Sequence, residues 1–142
     1  MLMRSLRPAA FALMLLLVAC ATTTDVPVAG EVTVELDAFS GLPNPIWALS
    51  ANETGELERR LRDLPAARAA RLPDLGLGYR GFRLTARPRG DGVVRPVYVT
   101  SGLVQVGGDD GPLYRDVHGV EAWLQAQARR QGYGGVFTRS DP

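Results

Sequence analysis

The sequence predicts an α+β fold: a four-stranded, mainly antiparallel sheet with two amphipathic helices packed on one face, in the order β-α-β-β-β-α. Three observations support this prediction. Apolar and polar residues alternate in several short segments, as they do in half-buried strands. Two longer segments repeat apolar residues at helical spacing, and turns rich in glycine or proline separate the segments. With 142 residues, 46% of them hydrophobic, the chain has the size and composition of one domain.

The first strand and the first helix are predicted from Glu31 onward. The segment "EVTVELDAF" alternates apolar with polar residues. Ser50 and Glu53 then form the pattern of a capping box at the start of a helix. The expected buried face and ion pairs of that helix are Leu57, Leu61, Leu64, Glu56–Arg60 and Glu58–Arg62. After it, "PAARAARL" is expected to add one short helical turn before Pro73.

Three further strands and a second helix complete the predicted domain. In the next strand, the residues expected to point inward are Phe82, Leu84 and Ala86. The segment "VVRPVYVTSGLVQVGG" predicts two strands that break near Ser101-Gly102, and Pro96 places the first of them at a sheet edge or a bulge. The last helix has Asp116 as its predicted N-cap, and its apolar face is Val117, Val120, Leu124 and Ala128.

The N-terminus predicts a secretory signal over residues 1–19. Arg4 and Arg7 precede an apolar run that is too short for a comfortable transmembrane helix. The run ends in Leu17-Val18-Ala19-Cys20, which resembles the bacterial lipobox, where the signal is cut before a cysteine that then carries diacylglycerol. The alternatives are an ordinary signal, or a core helix with an incidental cysteine.

The predicted anchor gives a location for the protein. Residues 20–30 are the lipidated cysteine and a small, polar linker that reaches about 35 Å when fully extended, so the domain of residues 31–142 is expected to lie close to the membrane. The membrane is thus a partner through the lipid anchor. The localisation is the cell envelope, facing the periplasm or the exterior. Ala21 and Thr22 after the cysteine resemble the outer-membrane default, if the source is Gram-negative.

Composition excludes several classes of function. All 16 basic residues are arginine, so mechanisms that need lysine are excluded. One cysteine and one histidine exclude an internal disulfide and a zinc site built from Cys or His ligands. Without Arg4 and Arg7 the arginines are slightly fewer than the 15 acidic residues, so charge gives no argument for nucleic acid as a partner.

The segment "FSGLPNPIW", residues 39–47, has two interpretations. Gly41 permits a positive backbone angle, whereas Pro43 and Pro45 fix theirs. As a binding loop it would present Ser40, Asn44 and Trp47 to a ligand such as a sugar or a peptide. As a structural joint it would connect strand to helix rigidly, with Phe39 and Trp47 in the core. The sequence favours the joint.

The same segment carries a family resemblance. The run "FSGLPNPIWALS", the leucine-rich helix after it and the later "LGLGYRGF" resemble a group of bacterial proteins of uncharacterised activity that share the pattern F-S-G-x-x-N-P-x-W. The resemblance covers about residues 32 to 84. It implies one domain, and it implies no mechanism.

Five arginines cluster on two predicted neighbouring strands: Arg80, Arg83, Arg87, Arg89 and Arg95. One interpretation is a patch that binds phosphate or carboxylate groups, because guanidinium forks bind both bidentately. The other is that Glu35 and Asp37 pair with these arginines across the sheet. The near-neutral charge favours the ion pairs.

No catalytic or metal site is predicted. His118 and Asp116 at a helix start lack a nucleophile in a recognisable setting, which favours a solvated histidine. Asp109 and Asp110 are at most half of a calcium loop. We therefore expect no cofactor and a non-enzymatic envelope module that binds an envelope protein or another partner. The alternative is a cell-wall or glycan-directed enzyme or binder that uses the loop around Asn44 and Trp47, with Asp37 as its carboxylate. Arg83 joins Ser40, Asn44 and Trp47 as the candidate ligand-binding residues.

Overall fold

The computed structural model describes residues 28, 30–69, 71–87 and 95–138. The predicted signal, Cys20 and nearly all of the linker lie outside these residues. The elements are β1 (Glu31–Asp37), β2 (Ile46–Ala48), α1 (Ala51–Leu61), β3 (Gly81–Arg87), β4 (Val97–Thr100), β5 (Leu103–Val106), β6 (Leu113–Arg115), α2 (Val120–Arg130) and a final 3-10 turn (Gly134–Thr138). The strands form one antiparallel sheet in the order β2-β1-β3-β4-β5-β6.

The α+β class is confirmed, but the predicted number of strands is wrong, because the described sheet has six. The two additional strands, β2 and β6, contain three residues each. Three residues are too few to show a period of two. In addition, β2 lies inside the proline-rich segment that was predicted to be only a connection. Its Trp47 pairs with Val34 on β1.

The helix α1 begins as predicted and ends early. Ser50 is its N-cap, and the reciprocal capping box with Glu53 is formed. The three expected leucines are all buried: Leu57, Leu61 and Leu64. Arg60 donates to Glu56 at 2.7 Å, whereas Glu58 and Arg62 do not pair. The reason is that the helix ends at Leu61 and the backbone of Arg62 is extended.

The segment after α1 does not form the predicted helical turn. Residues 65–67 instead lie beside β6, where Ala66 bridges to Tyr114. The backbone N–H of Ala67 donates to Leu113 O at 2.8 Å, and that of Arg115 donates to Pro65 O at 2.8 Å. This pairing covers the outer edge of β6 and satisfies backbone groups that an edge strand would leave unpaired.

Two other details differ from the sequence predictions. β4 is an interior strand between β3 and β5. Pro96 does not prevent this, because it lies before the first residue of the strand, where no ladder hydrogen bond needs the N–H that proline lacks. The N-cap of α2 is Gly119 in a left-handed conformation, and Val117, expected on the buried face, is 52% exposed because the helix begins only at Val120. The Asp116 carboxylate still caps the helix, accepting from the N–H groups of Val120 (2.7 Å) and Glu121 (2.8 Å).

The core lies between one face of the sheet and the two helices. Alternate strand residues contribute to it, and each is at most 8% exposed. They include Val32, Val34, Leu36, Phe82, Leu84, Val97, Val99 and Val104, which pack with Leu57 and Leu61 of α1 and with Val120, Leu124 and Ala128 of α2. Neither described helix is long and apolar enough to cross a membrane.

The opposite face of the sheet, which we call the open face, has a different composition. Register places Thr33 opposite Thr85, Glu35 opposite Arg83, and Arg83 opposite Tyr98. Arg83 and Thr85 are exposed, and the other three are half-buried. No described helix packs on these residues, because both helices pack against the apolar side chains of the other face.

Candidate functional site

Asn44 organises the segment between β1 and β2, which we call the joint (residues 38–47). Its side-chain oxygen accepts from the backbone N–H groups of Ala38 (3.3 Å) and Phe39 (3.2 Å). Its amide nitrogen donates to Glu35 Oε1 (3.0 Å) and Asp37 Oδ1 (3.3 Å). Both ends of the amide are therefore used to hold the turn against β1, which leaves little hydrogen-bonding capacity for a ligand.

Trp47 is half-buried and faces the core. Its ring meets Phe82 edge to face, with 6.4 Å between the centroids, and packs against the core cluster. The ring nitrogen is buried and has no hydrogen-bond acceptor among the described residues. Ser40 is exposed at the turn. Asn44 and Trp47 thus lie on opposite sides of the sheet, and one ligand does not reach both from the open face.

The expected ion pairs between β1 and the arginines form only in part, since Asp37 pairs with an arginine and Glu35 does not, and Arg89 lies outside the described residues. Arg80 pairs with Asp37, and this interaction raises the pKa of the Arg80 guanidinium. Arg87 lies 3.9 Å from Glu31 at the opposite end of the two strands. Solvent reaches and screens both pairs, so they contribute little to stability.

Arg83 differs from these arginines. Glu35 lies directly opposite it on β1, yet the Glu35 carboxylate accepts from Asn44 instead. The Arg83 guanidinium lies over the ring of Tyr98, 5.5 Å from its centroid. Among the described residues it forms no ion pair and no hydrogen bond. Of the four candidate ligand-binding residues, Asn44 therefore bonds to Glu35 and Arg83 lies opposite Glu35, whereas Trp47 faces the core and Ser40 is exposed at the turn.

A second polar cluster joins the 3-10 turn and α2 to the end of the sheet. The Tyr79 hydroxyl donates to Glu121 Oε1 at 2.7 Å, and Glu121 Oε2 accepts from the backbone N–H of Gly102 at 2.9 Å. Burial raises the pKa of the Tyr79 phenol, which keeps it protonated as a donor. Its ring packs on Phe82 and Phe137. These contacts hold α2 and the 3-10 turn against the end of the sheet, which indicates a structural role.

His118 connects the two helices. Its Nδ1 donates to the carbonyl oxygen of Arg60 at 3.1 Å, since a carbonyl can only accept, and Arg60 Nη1 donates to His118 O at 2.6 Å. The neighbouring Asp116 carboxylate is occupied in capping α2. The histidine and the aspartate are thus used in separate structural contacts and do not form a proton relay.

Sequence reasoning missed Tyr98. Its strand was predicted, but which residue of β4 lies beside Arg83 depends on the register between β3 and β4. Strand alternation alone does not give that register. The carboxylate partner of each arginine was also missed. It depends on Asn44, which comes from a segment whose fold was not predicted in detail.

The comparisons and the ligand chemistry give no further assignment. Among the described residues there is no group of three or more His, Cys, Asp and Glu side chains arranged to hold a metal ion. No protein-family model, curated protein or solved structure matches the chain. The resemblance carried by the F-S-G-x-x-N-P-x-W pattern accordingly stays a prediction.

Proposed function

We propose that the chain is a lipid-anchored protein of the cell envelope, tethered through Cys20, whose single domain is a binding module. The support for the anchor is the lipobox pattern Leu17-Val18-Ala19-Cys20 behind a charged and then apolar N-terminus. The polar linker after it joins the domain at β1. An acylated cysteine attaches such a domain to a membrane surface without a spanning helix. In a Gram-negative source, the outer membrane is the proposed location.

One observation carries the binding role: the open face is polar and partly exposed, while the core face of the same strands is covered by two helices. Arg83 and Thr85 are exposed at the middle of this face, where a partner can reach them. By contrast, the two carboxylates considered above for catalysis are engaged in contacts within the fold, since Asp37 pairs with Arg80 and Asp116 caps α2. Binding therefore has more support than catalysis.

The alternative function, a glycan-directed enzyme or binder at the joint, has less support. It needs the Asn44 amide and the Trp47 ring on the same accessible surface. Asn44 spends its oxygen on two backbone N–H groups and its nitrogen on two carboxylates, and Trp47 packs against Phe82 on the other side of the sheet. A ligand at the joint would have to break these contacts first.

The anchor is tested by fractionation of cells that express the full chain with Cys20→Ser. We expect the wild-type chain in the membrane fraction and the variant released from it, because no acyl chain can be attached to serine as a thioether. The control is an Ala122→Ser chain, which changes an exposed helix position and keeps the cysteine. Unchanged membrane association of Cys20→Ser contradicts the proposed anchor.

The binding role is tested by photo-crosslinking in intact cells. The crosslinking amino acid p-benzoylphenylalanine replaces Thr85 on the open face or, as the matched control, Ala122 on the exposed side of α2. We expect a discrete adduct from position 85 and none from position 122. Equal crosslinking at both positions, or adducts only from the helix, contradicts a binding role for the open face.

A further inference from the structure

The side chains around Arg83 form a small polar patch in the middle of the open face. We call Thr33, Arg83, Thr85 and Tyr98 the Arg83 patch. Thr33 and Thr85 lie opposite each other on β1 and β3, one strand repeat away from the pair of Glu35 and Arg83. Side chains on one face repeat every two residues, which is about 7 Å along a strand. Thr85 therefore lies about 7 Å from Arg83 along β3, and Thr33 lies beside Thr85 on the neighbouring strand.

The Arg83 guanidinium is held in place without using its hydrogen-bond donors. Contact with the face of the Tyr98 ring is an attraction between the cation and the π-electrons, and it leaves the N–H groups free. A guanidinium presents these donors in a planar fork that matches a carboxylate. Exposure of the side chain lets a ligand reach it.

The carboxylates near Arg83 within the described residues are already engaged. Glu35 accepts from Asn44, Asp37 pairs with Arg80, and Glu31 lies beside Arg87. Asn44 thus has a second effect besides shaping the joint. Its amide nitrogen donates to Glu35, the carboxylate opposite Arg83, which could otherwise pair with that arginine. The donors of Arg83 remain available to an anionic group from another molecule.

We propose that the Arg83 patch binds a carboxylate of an extended acidic peptide segment in a partner protein, with Arg83 as the carboxylate ligand and Tyr98 as its positioning residue. This inference rests on the proposed binding role of the open face and names the chemistry of the partner. Charge complementarity selects the carboxylate. The threonine hydroxyls beside Arg83 suit peptide amides, because hydroxyls and amides both donate and accept hydrogen bonds.

A sugar ligand fits the patch less well. Sugars bind to accessible aromatic faces, and at this patch the guanidinium of Arg83 covers the Tyr98 ring. Trp47, the tryptophan of the joint, packs on Phe82 at the other side of the sheet. The patch therefore offers a cationic fork and hydroxyls, and the acidic peptide is the occupant to which the geometry points.

The test measures peptide affinity with the full chain purified in a non-ionic detergent. The probe is a fluorescein-labelled peptide of alternating threonine and glutamate, and its threonine–glutamine analogue is the uncharged control. We expect saturable binding of the glutamate peptide by fluorescence anisotropy and no binding of the analogue. Arg83→Gln is expected to weaken the binding at least about tenfold, since hydrogen bonds to a charged group are lost.

Two further variants separate the role of the fork from that of charge and fold. Arg83→Lys keeps the charge and loses the planar fork, so we expect an affinity between those of the wild type and Arg83→Gln. Arg115→Gln is the matched control, because Arg115 is another exposed arginine of the same sheet, on β6, and its removal is expected to leave the affinity within about twofold. Tyr98→Leu is expected to weaken binding, and Tyr98→Phe, which keeps the ring, to restore it.

Three results overturn the inference: no binding of the glutamate peptide, an equal loss of affinity from Arg115→Gln and Arg83→Gln, or displacement of the peptide by inorganic phosphate at least ten times better than by acetate. The last result assigns the patch to phosphate. If crosslinking from position 85 still succeeds in cells, only the acidic-peptide assignment fails. If that crosslinking also fails, the proposed binding role fails with it.

Discussion

The joint and the Arg83 patch lie side by side on the sheet and use their polar groups in opposite ways. In the joint, Asn44 spends its amide on four contacts within the chain. In the patch, the Arg83 guanidinium lies over the ring of Tyr98 and forms no hydrogen bond or ion pair with the described residues. The joint has a conspicuous sequence pattern and the patch has none. The most distinctive segment of this sequence therefore specifies the fold, whereas the unused hydrogen-bond donors of Arg83 lie on an ordinary strand.

The comparison makes separable predictions. Variants of the joint are expected to change the free energy of unfolding, and variants of the patch are expected to change binding with little effect on that free energy. Arg83 is exposed, so its replacement by glutamine is expected to change stability by no more than about 1 kcal/mol.

The largest effect is expected at Phe82, on which the Trp47 ring packs. Phe82 is 1% exposed and also meets the rings of Tyr79 and Phe137. Phe82→Ala is expected to lower the free energy of unfolding by about 3–5 kcal/mol, because apolar contact is lost and a cavity is left. Urea denaturation measures the change. Phe82→Leu is expected to cost less, and a loss below about 1 kcal/mol for the alanine variant would show that the joint does not depend on this ring.

The second effect tests Asn44 as the organiser of the joint. Asn44→Ala is expected to lower the free energy of unfolding by about 2 kcal/mol, since the N–H groups of Ala38 and Phe39 lose their acceptor. The matched control is Ser40→Ala in the same turn, where the side chain is exposed and the expected change is within about 0.5 kcal/mol. Equal stability of the two variants would contradict the structural role of Asn44.

A smaller effect is expected at the capping box that follows the joint. Ser50→Ala is expected to lower the free energy of unfolding by about 1 kcal/mol. The hydrogen bonds that Glu53 accepts, first from the backbone and then from the side chain of Ser50, lower the pKa of Glu53. Because this pKa is lower in the folded state, the ionised carboxylate stabilises the fold at pH values above its ordinary pKa. The stabilisation is lost as the pH falls through the pKa of the folded state.

The pH dependence of that variant checks the sign. The stability difference between wild type and Ser50→Ala is expected to be larger at about pH 7 than at about pH 3, where Glu53 is protonated in both folded and unfolded chains. Denaturation with urea at the two pH values measures it. Asn52→Ala, an exposed change in the same turn of α1, serves as the control without a pH-dependent difference. A larger difference at the lower pH would refute the capping role of the Glu53 carboxylate.

The smallest effect connects the two regions. Asn44→Ala releases Glu35, which lies opposite Arg83 and is then free to pair with it. An exposed ion pair of this kind is expected to weaken binding of the glutamate peptide by up to about fivefold. Adding Glu35→Gln to Asn44→Ala is expected to restore the affinity. If the double variant binds as weakly as the single one, Asn44 does not act on the patch through Glu35.

Much of the fold follows from the sequence because the residues that form it show clear periodicity. The alternation in β1 and β3 and the leucines of α1 predicted which side chains are buried, and the Ser50 cap was located to the residue. The short strands β2 and β6 were missed because three residues show no period. The segment around Ala66 was expected to be helical because alanine and arginine favour helices, and its pairing with β6 overrides that preference.

The candidate site could be predicted only in part. Asn44 and Arg83 were both identified as candidate residues, and both contact or face Glu35. Their relation depends on the register of β1 with β3 and on a side-chain hydrogen bond from the joint, and neither is encoded in a local pattern. The position of Arg83 over Tyr98 depends in the same way on the register of β3 with β4.

We propose that the open face, and not the joint, is the surface that binds the partner. The most direct measurement compares photo-crosslinking in intact cells from Thr85 on the open face with crosslinking from Leu42 in the joint, which is 68% exposed and so is equally able to react. The account predicts a discrete adduct from position 85 that disappears when Arg83→Gln is introduced, and no such adduct from position 42. An adduct from position 42 alone, or from neither position, would contradict it, whereas an adduct from position 85 that survives Arg83→Gln would overturn only the acidic-peptide assignment.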